Sequence, residues 1–191
     1  MSKRASQGRQ KVIEAAANIL ATNGLKGVSI RELSKFANAP LGSTYHNFPN
    51  GKQQIVLETL EWAGERAALR LKECLEKDKK NGLQLFLVQW REKLVKSNFE
   101  KGCPIVAAAV EASQEDNYHQ IRNAIAKIFN DWRIPISDYL ITLGHSKSSA
   151  NSTAITLLAC LEGAVILCRG YKDIDPFDAI IDSLPKLILV N

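Results

Sequence analysis

Residues 28–52 are VSIRELSKFANAPLGSTYHNFPNGK, which contains two short helical patterns joined by a tight turn. Ser29 is a helix-capping residue, and Glu32 follows it at the spacing of a capping box. The apolar residues after the cap recur at helical spacing and are expected to face inward; they are Ile30, Leu33 and Phe36. The stretch predicts a first helix that begins just after Ser29.

A turn over residues 37–40 separates this helix from a second one. Pro40 disfavours helical geometry in the residue before it, so the first helix is expected to end ahead of it. Gly42 and Ser43 begin the second helix, which is expected to carry Ser43, Thr44, Tyr45 and His46 outward. Two helices joined in this way predict a helix-turn-helix, whose second helix lies in the major groove of DNA.

These residues resemble the DNA-binding signature of TetR-type transcriptional repressors. The signature has Ser or Thr at the start of the first of these helices, small residues at the turn, Tyr-x-x-Phe and then Lys. The matching residues here are Ser29, Ala37, YHNF at 45–48 and Lys52. The FPNGK sequence at 48–52 and Gly-Cys-Pro at 102–104 resemble the LmrA/YxaF-like branch of that family.

The chain departs from the family pattern at two places. Asn38 and Ala39 stand where Gly and Val are usual, and residues 49–51 lengthen the entry to the next helix. Asn tolerates the left-handed conformation better than most residues, so the first departure should preserve the turn.

The resemblance implies an all-α protein with two domains. Residues 1–51 would form a three-helix, helix-turn-helix DNA-binding domain, and residues 52–191 a helical bundle for ligand binding and dimerisation. The implied partners are a palindromic double-stranded DNA operator, a second copy of the chain and a small hydrophobic effector. No cofactor is expected.

The DNA contacts are expected from both helices and from the start of the next one. We assign Arg31, Ser43 and Thr44 to base-edge or near-base contacts and Ser29, Tyr45, His46 and Lys52 to phosphates, and include Leu41 in the contact surface.

The charge of the chain is unevenly distributed. Residues 1–52 hold eight Lys and Arg against two Glu, a net charge of +6, whereas residues 53–191 hold 17 basic against 18 acidic residues. A basic end on a nearly neutral body fits a polyanionic partner, because neutralised phosphates release counterions.

This sequence lacks the usual signals of membrane proteins, metal-binding proteins and enzymes. No apolar segment follows the basic residues 1–10, and the apolar run at 155–168 is interrupted by Glu162 and shorter than the ~20 residues of a membrane span. The four Cys and three His show neither metal-ligand spacing nor a nucleophile motif. We expect a cytoplasmic protein that is not an enzyme and that binds neither metal nor membrane.

Helical periodicity continues through the rest of the chain. It predicts helices over residues 9–23 and 52–78, and near 83–98, 104–113, 117–143, 148–171 and 176–190.

A ligand pocket is expected among the body helices, because large apolar faces come from several of them. Its predicted lining is Trp62, Phe86, Trp90, Cys103, Val106, Val110, Trp132 and Tyr139. For any single aromatic residue, plain core is the favoured interpretation, and the argument for a pocket rests on the set as a whole. The expected effector is flat, lipophilic and aromatic.

The last two helices carry more apolar surface than a small bundle needs, which favours a two-fold dimer interface over a monomeric core. Its predicted residues are Ile155, Leu158, Ala159, Glu162, Gly163, Ile181, Leu184 and Ile188.

Two carboxylates, Glu111 and Glu162, stand in apolar stretches. Each is either a paired or surface-edge charge, or a polar anchor or helix–helix contact.

Two interpretations of the body remain open beside a distant third. The body either senses a ligand that releases a repressor from DNA, or recognises a protein partner or nothing. The third is an enzyme with an added DNA-binding end.

Overall fold

The computed structural model describes the backbone of residues 3–114 and 118–188, and side chains from residue 7 to 113 and from 118 to 188. Within these ranges the chain is helical and contains no strand, which confirms the all-α prediction. The helices are α1 (Lys3–Asn23), α2 (Ile30–Phe36), α3 (Leu41–Asn47), α4 (Gly51–Lys77), α5 (Gly82–Lys96), α6 (Pro104–Glu111), α7 (Tyr118–Thr142), α8 (Lys147–Tyr171) and α9 (Asp175–Ile188), with short 3₁₀ helices at Leu25–Gly27 and Ala112–Gln114.

The predicted helices agree with the observed ones to within a few residues, except that α1 begins at Lys3 instead of Arg9. Three positions of the predicted helices, 117, 189 and 190, lie outside the described residues.

The chain divides into two compact units. The first contains Met1–Glu65 and Cys103–Ala126, and the second contains Arg66–Gly102 and Lys127–Asn191. Helices α4 and α7 each contribute residues to both units. The sequence predicts a boundary after residue 51, between a DNA-binding domain and a ligand-binding and dimerisation domain. That boundary stays a prediction.

In the first unit, α1 packs against α2, α3 and α6. The inward face of α1 is the predicted apolar stripe, and all of its members are buried: Val12, Ile13, Ala16, Ile19 and Leu20. Leu33 from α2 and Ile55 from α4 are fully buried in the same unit. Burial of such side chains stabilises the fold by about 1.5–3 kcal/mol each.

Phe36 does not face inward as predicted, since 70% of its surface is exposed. Ala37 is four positions after Leu33 and Phe36 is three. Four residues bring a helix back closer to the same face than three do. Ala37 takes the inward position and is buried.

In the second unit, α9 packs against α5 and α8, and α5 also contacts α8. The apolar face of α9 includes Phe177 and Leu184, which are both buried. On the partly exposed side of this contact, the guanidinium of Arg91 donates from Nε and Nη2 to the two carboxylate oxygens of Asp178, at 2.6 and 2.8 Å.

Helix α8 is the one helix among the described residues that has the length and apolar composition to cross a membrane. Its most apolar 18-residue window has a mean hydropathy of 1.6. Core helices of folded domains pass the same criterion, so this is weak evidence for a membrane segment.

Candidate nucleic-acid interface and an apolar pocket

The cap of α2 has the predicted form. Ser29 is extended, with φ −138°, and its Oγ accepts a hydrogen bond from the backbone N–H of Glu32 at 3.2 Å. The cap fixes the first turn of α2, in which the side chain of Arg31 is exposed. Lys35 pairs with Glu32 at 3.0 Å on the exposed side of the same helix.

The turn between α2 and α3 contains Asn38 in the left-handed region, with φ 48°. This is the conformation that the departure from Gly was predicted to preserve. Ala39 N–H donates to the carbonyl of Ser34 at 3.0 Å, and Pro40 leads directly into α3. The helix-turn-helix prediction is confirmed at the level of these contacts.

Thr44 does not point outward as predicted. Only 1% of its surface is exposed, and its Oγ1 lies 3.3 Å from the carbonyl of Pro40 and 3.2 Å from the hydroxyl of Ser34. The residue four positions later, Phe48, is buried at the same face. The side chain of Thr44 therefore fastens α3 to α2 and is withdrawn from the predicted base contacts.

The remaining predicted contacts of α3 are accessible to solvent. Ser43 and His46 are exposed, and Leu41 and Tyr45 have 48% and 53% of their surface exposed. Together they form an outward face on a helix of only seven residues.

Lys52 lies in the first turn of α4, half-buried. The backbone N–H of Gly51 donates to the carbonyl of Phe48 at 2.9 Å, and the N–H of Asn50 donates to Oε1 of Gln54 at 3.1 Å. Residues 49–51 thus form an ordered turn between the end of α3 and Lys52.

An interaction that the sequence analysis missed holds the end of α3. Arg9 of α1 lies over the Phe48 ring and forms an ion pair with Glu58 of α4, which also accepts from Gln54 at 2.9 Å. The available signal was an Arg near the start of an amphipathic helix, which does not identify its partner.

A small apolar cavity lies within the second unit. It has a volume of about 10 Å³, room for a single water molecule. Its lining is aliphatic and aromatic apart from one carboxylate, and consists of Ala67, Leu71, Phe86, Trp90, Trp132, Leu158, Leu161 and Glu162.

The cavity brings together three of the predicted ligand residues, Phe86, Trp90 and Trp132. The Trp132 ring meets Phe129 edge to face at 5.6 Å, and Lys93 Nζ lies 4.9 Å from the centre of the Trp90 ring.

The other predicted ligand residues are not part of its lining. Tyr139 belongs to the same unit and is buried, which raises the pKa of its hydroxyl. Trp62, Cys103, Val106 and Val110 belong to the first unit, and their part in a ligand site stays a prediction.

The predicted dimer residues fall into two groups. Along α8, Ile155 and Ala159 are exposed, Gly163 has open space beside it, and Leu158 is half-buried. On α9, Ile181 and Ile188 are half-buried, and the carbonyl of Ile188 accepts from Nε2 of His145 at 2.8 Å.

Leu184 and Glu162 are buried within the second unit, with 3% and 9% of their surface exposed. They do not lie on an exposed surface as predicted, because Leu184 belongs to the core face of α9 and Glu162 faces the cavity. Glu162 is therefore a polar group inside the body.

No group of three or more His, Cys, Asp or Glu residues that could hold a metal occurs among the described residues. Burial raises the pKa of the Cys74 and Cys168 thiols, which makes their thiolates scarcer.

Residues 80–183 match the family model described as "Transcriptional regulator LmrA/YxaF-like, C-terminal domain". The chain belongs to the LmrA/YxaF-like branch of the TetR family. This regulator is 30% identical over 189 residues to an HTH-type transcriptional regulator of Mycobacterium tuberculosis, covering 96% of this chain and 95% of that one. It is 26% identical to the HTH-type transcriptional regulator LmrA of Bacillus subtilis, over 94% and 96% of the two chains.

Solved structures share the fold of this TetR-family chain. The regulatory protein TetR from Rhodobacter sphaeroides matches with a TM-score of 0.84 at 20% identity, over 93% of this chain and 97% of that one. A TetR transcriptional regulator from Legionella pneumophila matches with a TM-score of 0.86 at 18% identity, over 99% and 98%. The predicted family and branch are confirmed. The relatives are transcriptional regulators, a role that involves no catalytic step.

Proposed function

We propose that this TetR-family regulator is a cytoplasmic, ligand-responsive repressor. It binds a palindromic operator as a homodimer and is released by a small lipophilic, aromatic effector. The observation that supports the DNA-binding part is the exposed polar face of α3. Thr44 and Phe48, on the opposite face, are buried and hold the helix in place.

The proposed DNA contacts divide by chemistry. Arg31 and Ser43 are proposed to contact base edges, and Leu41 offers an apolar contact to a thymine methyl group. Hydroxyl, imidazole and ammonium groups are proposed to contact phosphates and fix the position of the motif; these belong to Ser29, Tyr45, His46 and Lys52.

Dimerisation is proposed through the exposed face of α8. Ile155 and Ile166 have 51% and 56% of their surface exposed and lie on one side of the helix with Ala159 and Gly163. The small residues between the two Ile would let a second α8 approach closely. A two-fold dimer would present two recognition helices to successive major grooves.

The apolar cavity supports the effector part of the proposal. Two Trp side chains and Phe86 suit an aromatic ring, and Glu162 supplies one polar group. Because the cavity has room for one water molecule, an effector must move its walls, and it then favours whichever conformation has the larger cavity. A coupling of about 1–3 kcal/mol would lower operator affinity roughly 5–150-fold.

The same small volume also favours the alternative. A body that recognises a protein partner, or nothing, needs no cavity larger than this one between the aromatic side chains.

Selection of binding sites from a random duplex pool tests the DNA-binding part. We expect enrichment of a palindrome, protected as two half-sites in footprints. Selection of no common sequence, or of a single half-site, would contradict an operator-binding dimer.

Tryptophan fluorescence tests the effector part with a panel of flat phenolic and polycyclic compounds. A ligand in the cavity should quench Trp90 and Trp132 and release the selected duplex. The variant Trp62→Phe should retain most of the quenching, whereas Trp90→Phe should lose part of it. If no compound changes the fluorescence or weakens duplex binding, the protein-partner alternative replaces the sensor.

A further inference from the structure

Glu111, the last residue of α6, contacts the backbone just ahead of the recognition motif. Its Oε2 accepts a hydrogen bond from the backbone N–H of Lys26 at 3.2 Å, although 85 residues separate the two in sequence. Both residues belong to the first unit, in which α6 packs against α1 and the 3₁₀ helix Leu25–Gly27. This contact favours the helix–helix interpretation of Glu111, whose side chain is half-buried.

Gly24 leaves the space that the carboxylate occupies. A β-carbon at this position would overlap Oε1 of Glu111 and lie 2.8 Å from its Cδ. Gly24 also has φ 71°, a conformation that side chains rarely adopt. The positive φ therefore favours Gly at the residue that precedes the 3₁₀ helix, and the missing side chain leaves room for the Glu111 carboxylate.

The 3₁₀ helix receives no side-chain cap from its own segment, because Gly24 is the residue at its N-cap position. The first N–H groups of a helix need acceptors, and a carboxylate is a favourable one. Glu111 supplies that acceptor from a different helix.

The capped segment leads directly into α2. Val28, which is buried, donates its N–H to the carbonyl of Leu25 at 3.1 Å, and the next residue is Ser29, the N-cap of α2. The position of the 3₁₀ helix therefore sets where α2 begins.

We propose that Glu111 is a positioning residue for DNA recognition, which caps the segment between α1 and α2 and so fixes the start of the helix-turn-helix. The inference rests on the proposed DNA contacts of α2 and α3. Glu111 itself is not proposed to touch DNA.

Two effects of removing Glu111 have opposite signs, which makes the inference testable. Loss of a negative charge from a DNA-binding protein strengthens its attraction to any duplex. Loss of the cap should weaken binding only to the preferred sequence. Glu61→Ala is the matched control, because it removes an exposed carboxylate from α4 in the same unit.

The experiment compares Glu111→Ala, Glu111→Gln and Glu61→Ala with the unmodified full-length protein. The DNA probes are the duplex selected from a random pool by the unmodified protein and a scrambled duplex of equal length. Hydrogen exchange of the Lys26 amide provides a measurement that needs no DNA. Gln keeps an acceptor oxygen without the charge, so Glu111→Gln should keep the hydrogen bond to the Lys26 amide and lose only the negative charge.

For Glu111→Ala, we expect about tenfold weaker binding to the selected duplex, unchanged or tighter binding to the scrambled one, and about tenfold faster exchange at Lys26. Glu111→Gln and Glu61→Ala should keep the exchange rate and the preference for the selected duplex.

Equal exchange at Lys26 in Glu111→Ala and the unmodified protein would overturn the inference even if operator binding were intact. Parallel loss of binding to both duplexes would also overturn it, because a purely structural role predicts that result. If the unmodified protein selects no sequence, the proposed function fails instead, and the exchange rate alone decides whether Glu111 caps this segment.

Discussion

The guanidinium carbon of Arg9 lies 4.9 Å from the centre of the Phe48 ring. Arg9 comes from α1, and Phe48 is the residue that ends the recognition helix α3. Since Arg9 also pairs with Glu58 of α4, one side chain connects three helices of the DNA-binding motif. A cation over an aromatic face is attracted by the ring quadrupole, and partial burial of the ion pair weakens its screening.

Substitution Arg9→Ala should therefore lower the stability of the protein. The expected loss is about 1–2 kcal/mol, from one cation–π contact and one partly buried ion pair. Thermal unfolding should show a Tm lower by about 2–8 °C. Lys11→Ala, which removes an exposed basic side chain from the same helix, should leave Tm unchanged. Equal Tm values for the two variants would contradict a role for Arg9 in holding Phe48.

Arg31→Ala should relax the sequence preference of the protein. If Arg31 contacts a guanine, its loss should cost about 1–3 kcal/mol at the preferred duplex and little at a scrambled one. Arg31→Lys keeps the charge and loses the two-pronged hydrogen-bonding geometry, so it should also bind with reduced preference. Titration of both duplexes at fixed salt gives the ratio of affinities. An unchanged ratio for Arg31→Ala would exclude the base contact.

Lys52→Ala should weaken binding to all duplexes by a similar factor, because a phosphate contact carries no sequence information. The slope of log affinity against log salt concentration should fall by about one. Lys72→Ala is the control on the same helix, with a side chain in the second unit. If the slope changes equally in both variants, the proposed phosphate contact of Lys52 is contradicted.

Ile155→Glu should convert the proposed dimer to a monomer. The substituted carboxylate would be buried without a partner in a two-fold interface, at a cost of several kcal/mol. Leu69→Glu is the matched control, since 59% of the Leu69 surface is exposed and it lies on α4, a different helix from the proposed face. Sedimentation at micromolar concentration should give a monomer for the first variant and a dimer for the second. A monomeric unmodified protein would contradict the proposed dimer.

The contact between Arg91 and Asp178 should make stability depend on pH in the acidic range. Hydrogen bonds from Arg91 lower the pKa of the Asp178 carboxyl below its ordinary value of 3.8, whereas Arg91 stays protonated. A carboxyl with a lowered folded-state pKa stabilises the protein above its unfolded pKa, and this stability is lost as the pH falls through the folded value. Because 37% of each side chain is exposed, the pair contributes only about 1 kcal/mol.

Urea unfolding of Asp178→Asn and the unmodified protein measures this contribution. The difference in free energy of unfolding should be present at pH 7 and shrink as the pH falls below about 4. Asp182→Asn, at an exposed carboxyl on the same helix, should show no such difference. A difference for Asp178→Asn that is constant with pH would mean that the ion pair is not its cause.

The helices could be predicted from the sequence because their signals are local. Apolar periodicity gave the buried stripe of α1, and capping chemistry gave the start of α2 at Ser29. Asn38 in the left-handed region follows in the same way from the intrinsic tolerance of Asn for that conformation.

The orientation of short helices could not be predicted with the same accuracy. A seven-residue helix completes fewer than two turns, so its apolar pattern fits more than one inward direction. The predicted directions of Phe36 and Thr44 are wrong for this reason: Ala37 is buried in place of Phe36, and the contact of Thr44 with Ser34 turns that side chain inward.

The lining of the cavity shows a second limit. Periodicity indicates that Trp90 and Trp132 face inward, but not which helices are their neighbours. The contributions of Leu71 and Leu161 depend on contacts between distant parts of the chain. The pairing of Glu111 with Lys26 is another such long-range contact, which no local pattern indicates.

The burial of Thr44 has a consequence for how this protein can evolve. Its hydrogen bond with Ser34 of α2 helps to fix the rotation of α3 about its own axis independently of the side chains that face outward. Substitutions at positions 41, 43, 45 and 46 can then accumulate without turning the helix. If Leu41 and Ser43 contact bases as proposed, duplicated copies of the gene can acquire different target sequences while they keep the same scaffold, and a library randomised at these two positions with Thr44 retained is the starting point for redirecting the protein to a chosen site.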